Sequence, residues 1–532
     1  MKFLKIILLL FVLILSSCSE KFEKLSEKDS DRDILLKQIQ PNKNIQYWQL
    51  EHFPNYKDDD KFSDVLYSFG KCTKTEKEKI DHLFKYVQYM ERQVVLFDAI
   101  EDAAFTSVND VEGAGSLKAL IREASFSGKT QALKNKLKDF KVRIVLTAHP
   151  TQFYPANVLG IIHDMGDAIG KNDYHIINQY IQQLGLTPFF NKKQPTPTDE
   201  AQTLMWYLEN VFYNAIGNIY DTIVRNVFDN DYDAANPFIE LGFWPGGDRD
   251  GNPFVNAATT INVAQLLRSS SIVSYYRDVR KLKRKLTFGG VDTILNSLEA
   301  RLYENVFRPE DSNPISSEEI IGSLTTIRQK LINEDHSLYL NRLESLLNKV
   351  KIFGTHFASL DIRQDSRIHH SVLMDLGVLP KNYSTLSEAD KIKLLGTIKG
   401  KVNPADYSET ITRDTLESIY AIQTVQALNG EAGCHRYIIS NCQTAVNVME
   451  LFALIRLCGM NEHISNIDIV PLFETIDDLA ASEKIMETLY QDPIYAAHLE
   501  ARKNQQPIML GFSDGTKDGG YLQANWGIYK AK

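Results

Sequence analysis

Six short apolar runs, each broken off by a polar or charged cluster, constrain this chain more than any other feature. Val142–Thr147 runs up to His149, Phe238–Trp244 to Gly246-Gly247-Asp248-Arg249-Asp250, and Phe357–Ile362 to Arg363. Tyr437–Ile439 ends at Ser440-Asn441, Ile467–Phe473 at Glu474, and Ile508–Phe512 at Ser513-Asp514. The last three recur at intervals of 30–40 residues with helical patterns between them. That rhythm predicts a parallel sheet, because parallel neighbours need a long crossover and a helix is the usual one. In a βα-barrel the reactive residues gather at the C-terminal ends of the strands. The polar clusters stand at those ends. Six strand ends are counted where a closed barrel has eight, so an incomplete barrel is expected, without the last two units that often carry a barrel's phosphate site.

Helical periodicity fills the rest. Ile80, Leu83, Phe84, Val87, Met90, Val94, Val95 and Phe97 recur at helical spacing between Glu76 and Phe105. Thr203–Phe228, Thr260–Leu286, Val291–Val306 and Glu318–Ile352 carry the same pattern, and Asn191–Thr198, with Pro195 and Pro197, reads as a loop. The expected class is therefore mostly α, with an α/β barrel core of TIM type and long helical insertions. At 532 residues the chain is long enough for several domains or one large barrel with insertions. Its 43% hydrophobic content excludes a disordered, collagenous or polytopic membrane protein. With 59 basic against 68 acidic side chains the net charge is −9, which argues against nucleic acid as a partner.

The ends differ from the body. Lys2 and Lys5 flank Phe3-Leu4, an apolar run spans Ile6 to Leu15, and Ser16-Ser17-Cys18 follows: a secretory signal pattern too short to span a bilayer. Leu15-Ser16-Ser17-Cys18 resembles a bacterial lipobox, which would lipidate Cys18 and hold the chain at a membrane. The charged stretch Glu20–Asp33 reads as a solvated tether. The division expected is a signal segment at 1–18, a tether and helical region at 19–140, and a catalytic region at 141–532. Cys72, Cys434, Cys442 and Cys458 show neither CxxC nor zinc spacing. They read as reduced core thiols, so the body suggests a reducing compartment and the leader an oxidising one.

Several side chains carry chemistry. Glu474 and Asp514 each follow an apolar strand, so together they would supply hard oxygen ligands to Mg²⁺, or else cap helices and pair with lysines. Asp477 and Asp478 read as first-turn helix carboxylates. His149, fixed by Pro150, is placed for general acid or base work, or is structural. The loop Gly246–Pro253 would bring its backbone close to an anion, with Arg249 as the donor fork, or would form a turn with an internal Asp–Arg pair. Arg363 is a second candidate oxyanion clamp, and Lys517, three residues after Asp514, would neutralise an enolate or carboxylate. Together these groups describe a site for a small, phosphorylated, highly anionic substrate with a divalent cation.

Val145-Leu146-Thr147-Ala148-His149-Pro150-Thr151 resembles the histidine signature of phosphoenolpyruvate carboxylase. Phe243–Pro253, Leu360–Gln364, Pro471–Leu479 and Gly511–Gly520 resemble four further motifs of that family, in its order. The resemblance implies an enzyme that converts phosphoenolpyruvate and bicarbonate to oxaloacetate and phosphate, cytoplasmic and tetrameric. It implies Glu474 and Asp514 as ligands of Mg²⁺ or Mn²⁺, and His149, Arg363 and Lys517 as catalytic groups. His149 would handle the proton of carboxyphosphate. Asp248 and Arg249 would bind substrate, and Trp244 and Met509 would wall an apolar CO₂ pocket.

Gln152 and Phe153-Tyr154 depart from the acidic and basic residues many members carry there. The family's arginine- and glycine-rich phosphate loop is expected beyond Lys532, so a C-terminally truncated chain with weak or no activity is anticipated. Two other readings stay open: an exported lipoprotein with a non-catalytic, carboxylase-like binding module, and another Mg²⁺-dependent barrel acting on phosphoenolpyruvate or pyruvate. The latter leaves the His149 and Gly246–Pro253 motifs without a role.

Overall fold

The computed structural model describes residues 76–147, 156–189, 195–231, 236–310, 313–408, 410–460 and 466–532. The leader, Cys18, Cys72 and His149 lie outside them. The chain divides into two compact units, one from Met1–Arg122 with His149–Pro195, the other from Glu123–Ala148 with Thr196–Lys532.

In the first unit, helix Glu76–Val108 packs against Ala156–Gly170, which packs against Tyr174–Leu186. Val95, Ala99, Val158, Ile161, Met165 and Leu184 form its core. Arg92 closes one end, donating through Nε to the Leu184 carbonyl at 3.3 Å and through Nη2 to that of Thr187 at 3.2 Å. A cation there meets the negative end of a helix dipole. Helices Ala156–Gly170 and Tyr174–Leu186 thus share a core with Glu76–Val108.

The second unit is built on six parallel strands: β1 (Val142–Leu146), β2 (Ile239–Phe243), β3 (Ser359–Asp365), β4 (Arg436–Ser440), β5 (Asp468–Phe473) and β6 (Met509–Leu510). Each pairs with the next in sequence, giving the order β1-β2-β3-β4-β5-β6. A doubly wound sheet reverses direction at a switch point; this one never does. With right-handed crossovers, every connecting helix then falls on the same face. The molecule is accordingly mostly helical around a curled six-stranded parallel half-barrel.

Strand alternation separates the two faces. Leu241, Phe243, Leu360, Ile362, Tyr437, Ile439, Ile469 and Phe473 join the large core shared with the helices. Their neighbours along each strand face the concave side, where Ile438, Val470 and Leu472 pack with Trp244 and Met509 as a separate apolar layer. The N-terminal side of that layer is ionic: Arg143 pairs with Asp361, Arg436 with Glu240, and Arg502 with Asp468.

The helices start where their sequences provide caps. Thr196 and Asp199 form a capping box with Pro197 in the first turn, and Ser316 accepts from the Glu319 amide. Two long helical readings are divided. Thr203–Phe228 becomes Pro197–Tyr207, a π turn at Leu208–Phe212, and Tyr213–Val227. Glu318–Ile352 becomes Ser317–Asn333 and Leu340–Phe353, because His336, Ser337 and Tyr339 take left-handed φ values of 51°, 59° and 59° between them. No described helix is long and apolar enough to cross a membrane. Cys434, Cys442 and Cys458 are buried free thiols, and burial pushes Cys442 and Cys458 up to about 12.

Candidate active site

The strand ends meet at Arg363. Two residues before the end of β3, this residue donates through Nη1 to Asp248 Oδ2 at 3.3 Å and through Nη2 to Asp250 Oδ2 at 2.9 Å. Nη2 also reaches Glu474 Oε1 at 3.3 Å. Its guanidinium carbon lies 5.2 Å from the centroid of the Trp244 ring. A cation over an indole face is attracted by the ring quadrupole, so Trp244 supports Arg363 from below.

The loop after β2 reaches this point by continuing the sheet. The Arg249 amide donates to the Arg363 carbonyl at 2.9 Å, and the Arg363 amide to the Gly247 carbonyl at 3.0 Å. A Cβ on Gly247 would lie 2.0 Å from the Asp361 carbonyl oxygen, so only glycine permits that approach. Gly246 sits at φ 82°, in the left-handed region. The loop's glycines thus bring it against β3.

The loop's charged groups pair with residues outside it. Asp248 and Asp250 pair with Arg363 from β3. Arg249 is buried and donates through Nη1 to the Asp414 carbonyl at 2.8 Å and through Nη2 to Asp414 Oδ2 at 3.3 Å. Its fork is therefore engaged by helix Thr410–Asn429.

Glu474 and Asp514 come from the ends of β5 and β6. Gly511 accounts for the closeness of the two strand exits: its amide donates to the Phe473 carbonyl at 2.8 Å, and a Cβ there would stand 3.2 Å from Glu474 Cα. Helix Phe512–Gly519 then carries Asp514 in its first turn. Lys517 Nζ donates to Asp514 Oδ1 at 3.3 Å, with 79% of its side chain exposed. Asp518 accepts from the Ile476 amide at 2.9 Å, tying this helix to the start of the one after Glu474. Asp478 completes a capping box with Thr475, the first-turn role read for it from the sequence.

The carboxylates strain against one another. Burial raises the pKa of Glu474, and the charges of Asp514 and Asp250 push the same way, against the Asn441 amide and Arg363. Burial also raises Asp248, against the pull of Arg363. Three carboxylates, Asp248, Asp250 and Glu474, meet one partly buried cation, Arg363, while Asp514 beside them pairs with the exposed Lys517. That oxygen-rich, cation-poor donor set fits a hard divalent ion. Among the described residues no group of three or more histidine, cysteine, aspartate or glutamate side chains stands together as a ready metal cluster.

Trp244 and Met509 lie on the apolar layer directly beneath. Below Trp244 is a buried anchor: its Nε1 donates to Asp361 Oδ2 at 3.1 Å. Asp361 is 0% exposed and receives Arg143 Nη1 at 2.9 Å and Nη2 at 2.7 Å. The sequence reading missed Asp250, Asp361, Asp414 and Asn441 as site residues. Asp361 and Asp365 had a legible signal, since with Arg363 they share one face by strand alternation. Asp414 had none, being a helical residue 165 positions from its partner.

The family model of phosphoenolpyruvate carboxylase matches residues 80–305 and 292–532. The chain is similar to the phosphoenolpyruvate carboxylase of Nitrosomonas eutropha, 28% identical over 483 residues, covering 78% of this chain and 51% of that protein. It is likewise similar to that of Ralstonia nicotianae, at 28% over 495 residues, with 78% and 50% covered. The protein of Gloeobacter violaceus is 25% identical over 500 residues, with 80% and 53% covered. The chain spans about half the length of these curated relatives. Matched by the family model across nearly all its described residues, it belongs to the phosphoenolpyruvate carboxylase family.

Proposed function

We propose that this chain carries the strand-end site of a phosphoenolpyruvate carboxylase, a carboxy-lyase forming oxaloacetate and phosphate from phosphoenolpyruvate and bicarbonate. The observation that carries the reading is the meeting of Asp248, Asp250, Arg363 and Glu474 above an apolar layer containing Trp244 and Met509. A bicarbonate oxygen would attack phosphorus, giving carboxyphosphate and the enolate of pyruvate. Carboxyphosphate would then lose its proton and release CO₂ and phosphate, and the enolate C3 would attack the CO₂.

Arg363 would hold the transferring phosphoryl group by exchanging a carboxylate partner for substrate oxygens. Lys517, exposed beside Asp514, would support the substrate's anionic end. His149, three residues beyond β1, would take the carboxyphosphate proton. Trp244 and Met509 would keep water from the enolate, which water would otherwise protonate. Glu474 and Asp514 would hold Mg²⁺ or Mn²⁺, which supplies Lewis-acid stabilisation of negative charge when bound. Arg249, already buried against Asp414, would act by fixing the loop that carries Asp248 and Asp250.

The test is coupled oxaloacetate formation from phosphoenolpyruvate and bicarbonate, measured on this chain and on one extended through its downstream reading frame. We expect activity in the extended protein and a loss of at least about a hundredfold in Glu474→Gln. An inactive extended protein, or an undiminished Glu474→Gln rate, would refute the proposal.

A further inference from the structure

Glu474 is held by a residue in an unfavourable backbone conformation. Asn441, the first residue after β4, has φ 51°, in the left-handed region that asparagine and glycine tolerate best. Its amide donates to Glu474 Oε2 at 2.9 Å, fixing one carboxylate oxygen while Oε1 meets Arg363 at 3.3 Å. Its carbonyl accepts from Ser366 Oγ at 2.7 Å, at the start of the helix that leaves β3. One residue therefore ties the exit of β3 to the carboxylate at the exit of β5.

We infer that Asn441 is a positioning residue whose left-handed backbone, anchored by Ser366, aims Glu474 Oε1 for cation binding. The inference rests on the reading that Glu474 is a cation ligand. Strained backbone concentrates at functional sites, where the surroundings enforce it. Here the enforcing contact comes from Ser366, and what the conformation delivers is an amide aimed at Glu474. The geometry belongs to the backbone, so a residue's tolerance of positive φ, more than its side chain, should decide whether the site works.

The experiment is calorimetric titration of the 532-residue chain with Mn²⁺, alongside melting temperatures. Wild type should bind, and Glu474→Gln should weaken binding by about tenfold or more. Asn441→Ala, which keeps the Cβ but loses the short polar side chain that lets asparagine tolerate positive φ, should weaken binding about tenfold, within the range for groups behind a metal ligand. Ser366→Ala, a small deletion that leaves the fold intact, should weaken it several-fold. Asn441→Gly, which keeps both φ and amide, should stay within about threefold of wild type. Should Asn441→Ala fail to fold, Ser366→Ala and Asn441→Gly decide the matter alone. If wild type does not bind, or Glu474→Gln binds as wild type does, the cation reading falls and takes this inference with it. If Glu474→Gln is weakened while Ser366→Ala and Asn441→Ala keep wild-type affinity, the inference alone is overturned. It also fails if Asn441→Gly loses as much affinity as Asn441→Ala. A purely structural role would lower the melting temperature and leave Mn²⁺ affinity unmoved.

Discussion

Arg143 and Asp361 show how much of the site depends on a group that is missing. The Arg143 guanidinium crosses β2 to reach Asp361 on β3, and it crosses at Gly242, where a Cβ would lie 2.7 Å from its central carbon. Gly242→Ala should therefore push Arg143 off a carboxylate that has no access to water. Breaking a buried pair in this way costs about 3–5 kcal/mol, read as a lower urea midpoint. A loss under about 1 kcal/mol would mean that Arg143 moves aside with its pairing intact. Because Asp361 also holds the Trp244 ring under Arg363, the same change should loosen the site from below. The sequence exposed part of this. Trp244, Arg363 and Glu474 stood out because each ends a strand-like run, whereas Asp361 sat inside such a run and looked like an interruption. Arg249 was legible as a cation in a glycine-rich loop. Its partner Asp414 was not, since nothing local marks a helical aspartate as the far end of a buried pair.

Elements were more legible than partners. All six strands fall on the apolar runs read from the sequence, because a strand of a parallel sheet is covered on both faces and reads as a continuous apolar stretch. The edges moved for physical reasons. β3 continues through Arg363 to Asp365, as the Asp248–Arg363 bridge extends its pairing into the loop after β2. β6 pairs over only Met509 and Leu510, and Phe512 already opens a helix. Helix interruptions were hidden. Nothing in the periodicity marks the π turn at Leu208–Phe212, which inserts a residue without breaking the apolar stripe. The break after Asn333 rests on three non-glycine exceptions within four residues, His336, Ser337 and Tyr339, and left-handed asparagine-like behaviour in such residues is a tertiary outcome.

At the scale of the molecule, the sheet unit buries titratable groups that set its response to acid. Burial lowers His356 and His498 to about 4 and His369 to about 3, and with nearby cations holds His435 well below its ordinary value. Each stays neutral in the folded chain and takes up a proton near pH 6.5 once exposed. Unfolding therefore binds protons below pH 6.5, and stability falls as pH drops from 6.5 to 5. The smaller upward shifts of Asp248, Glu450 and Glu474 act in the opposite sense and reduce the slope without reversing it. Urea unfolding at pH 7, 6 and 5 should show a steady decline, and a flat profile would mean that these histidines are already charged in the fold. The chemistry proposed at the strand ends of this half-barrel can be followed through the fate of one oxygen. If bicarbonate attacks phosphorus at Arg363, the oxygen that forms the new bond must leave with phosphate when CO₂ departs. With ¹⁸O-labelled bicarbonate and phosphoenolpyruvate, the chain extended through its downstream reading frame should release oxaloacetate and phosphate in equal amounts, the phosphate carrying one labelled oxygen from bicarbonate. Unlabelled phosphate, or phosphate released with pyruvate and no oxaloacetate, would contradict it.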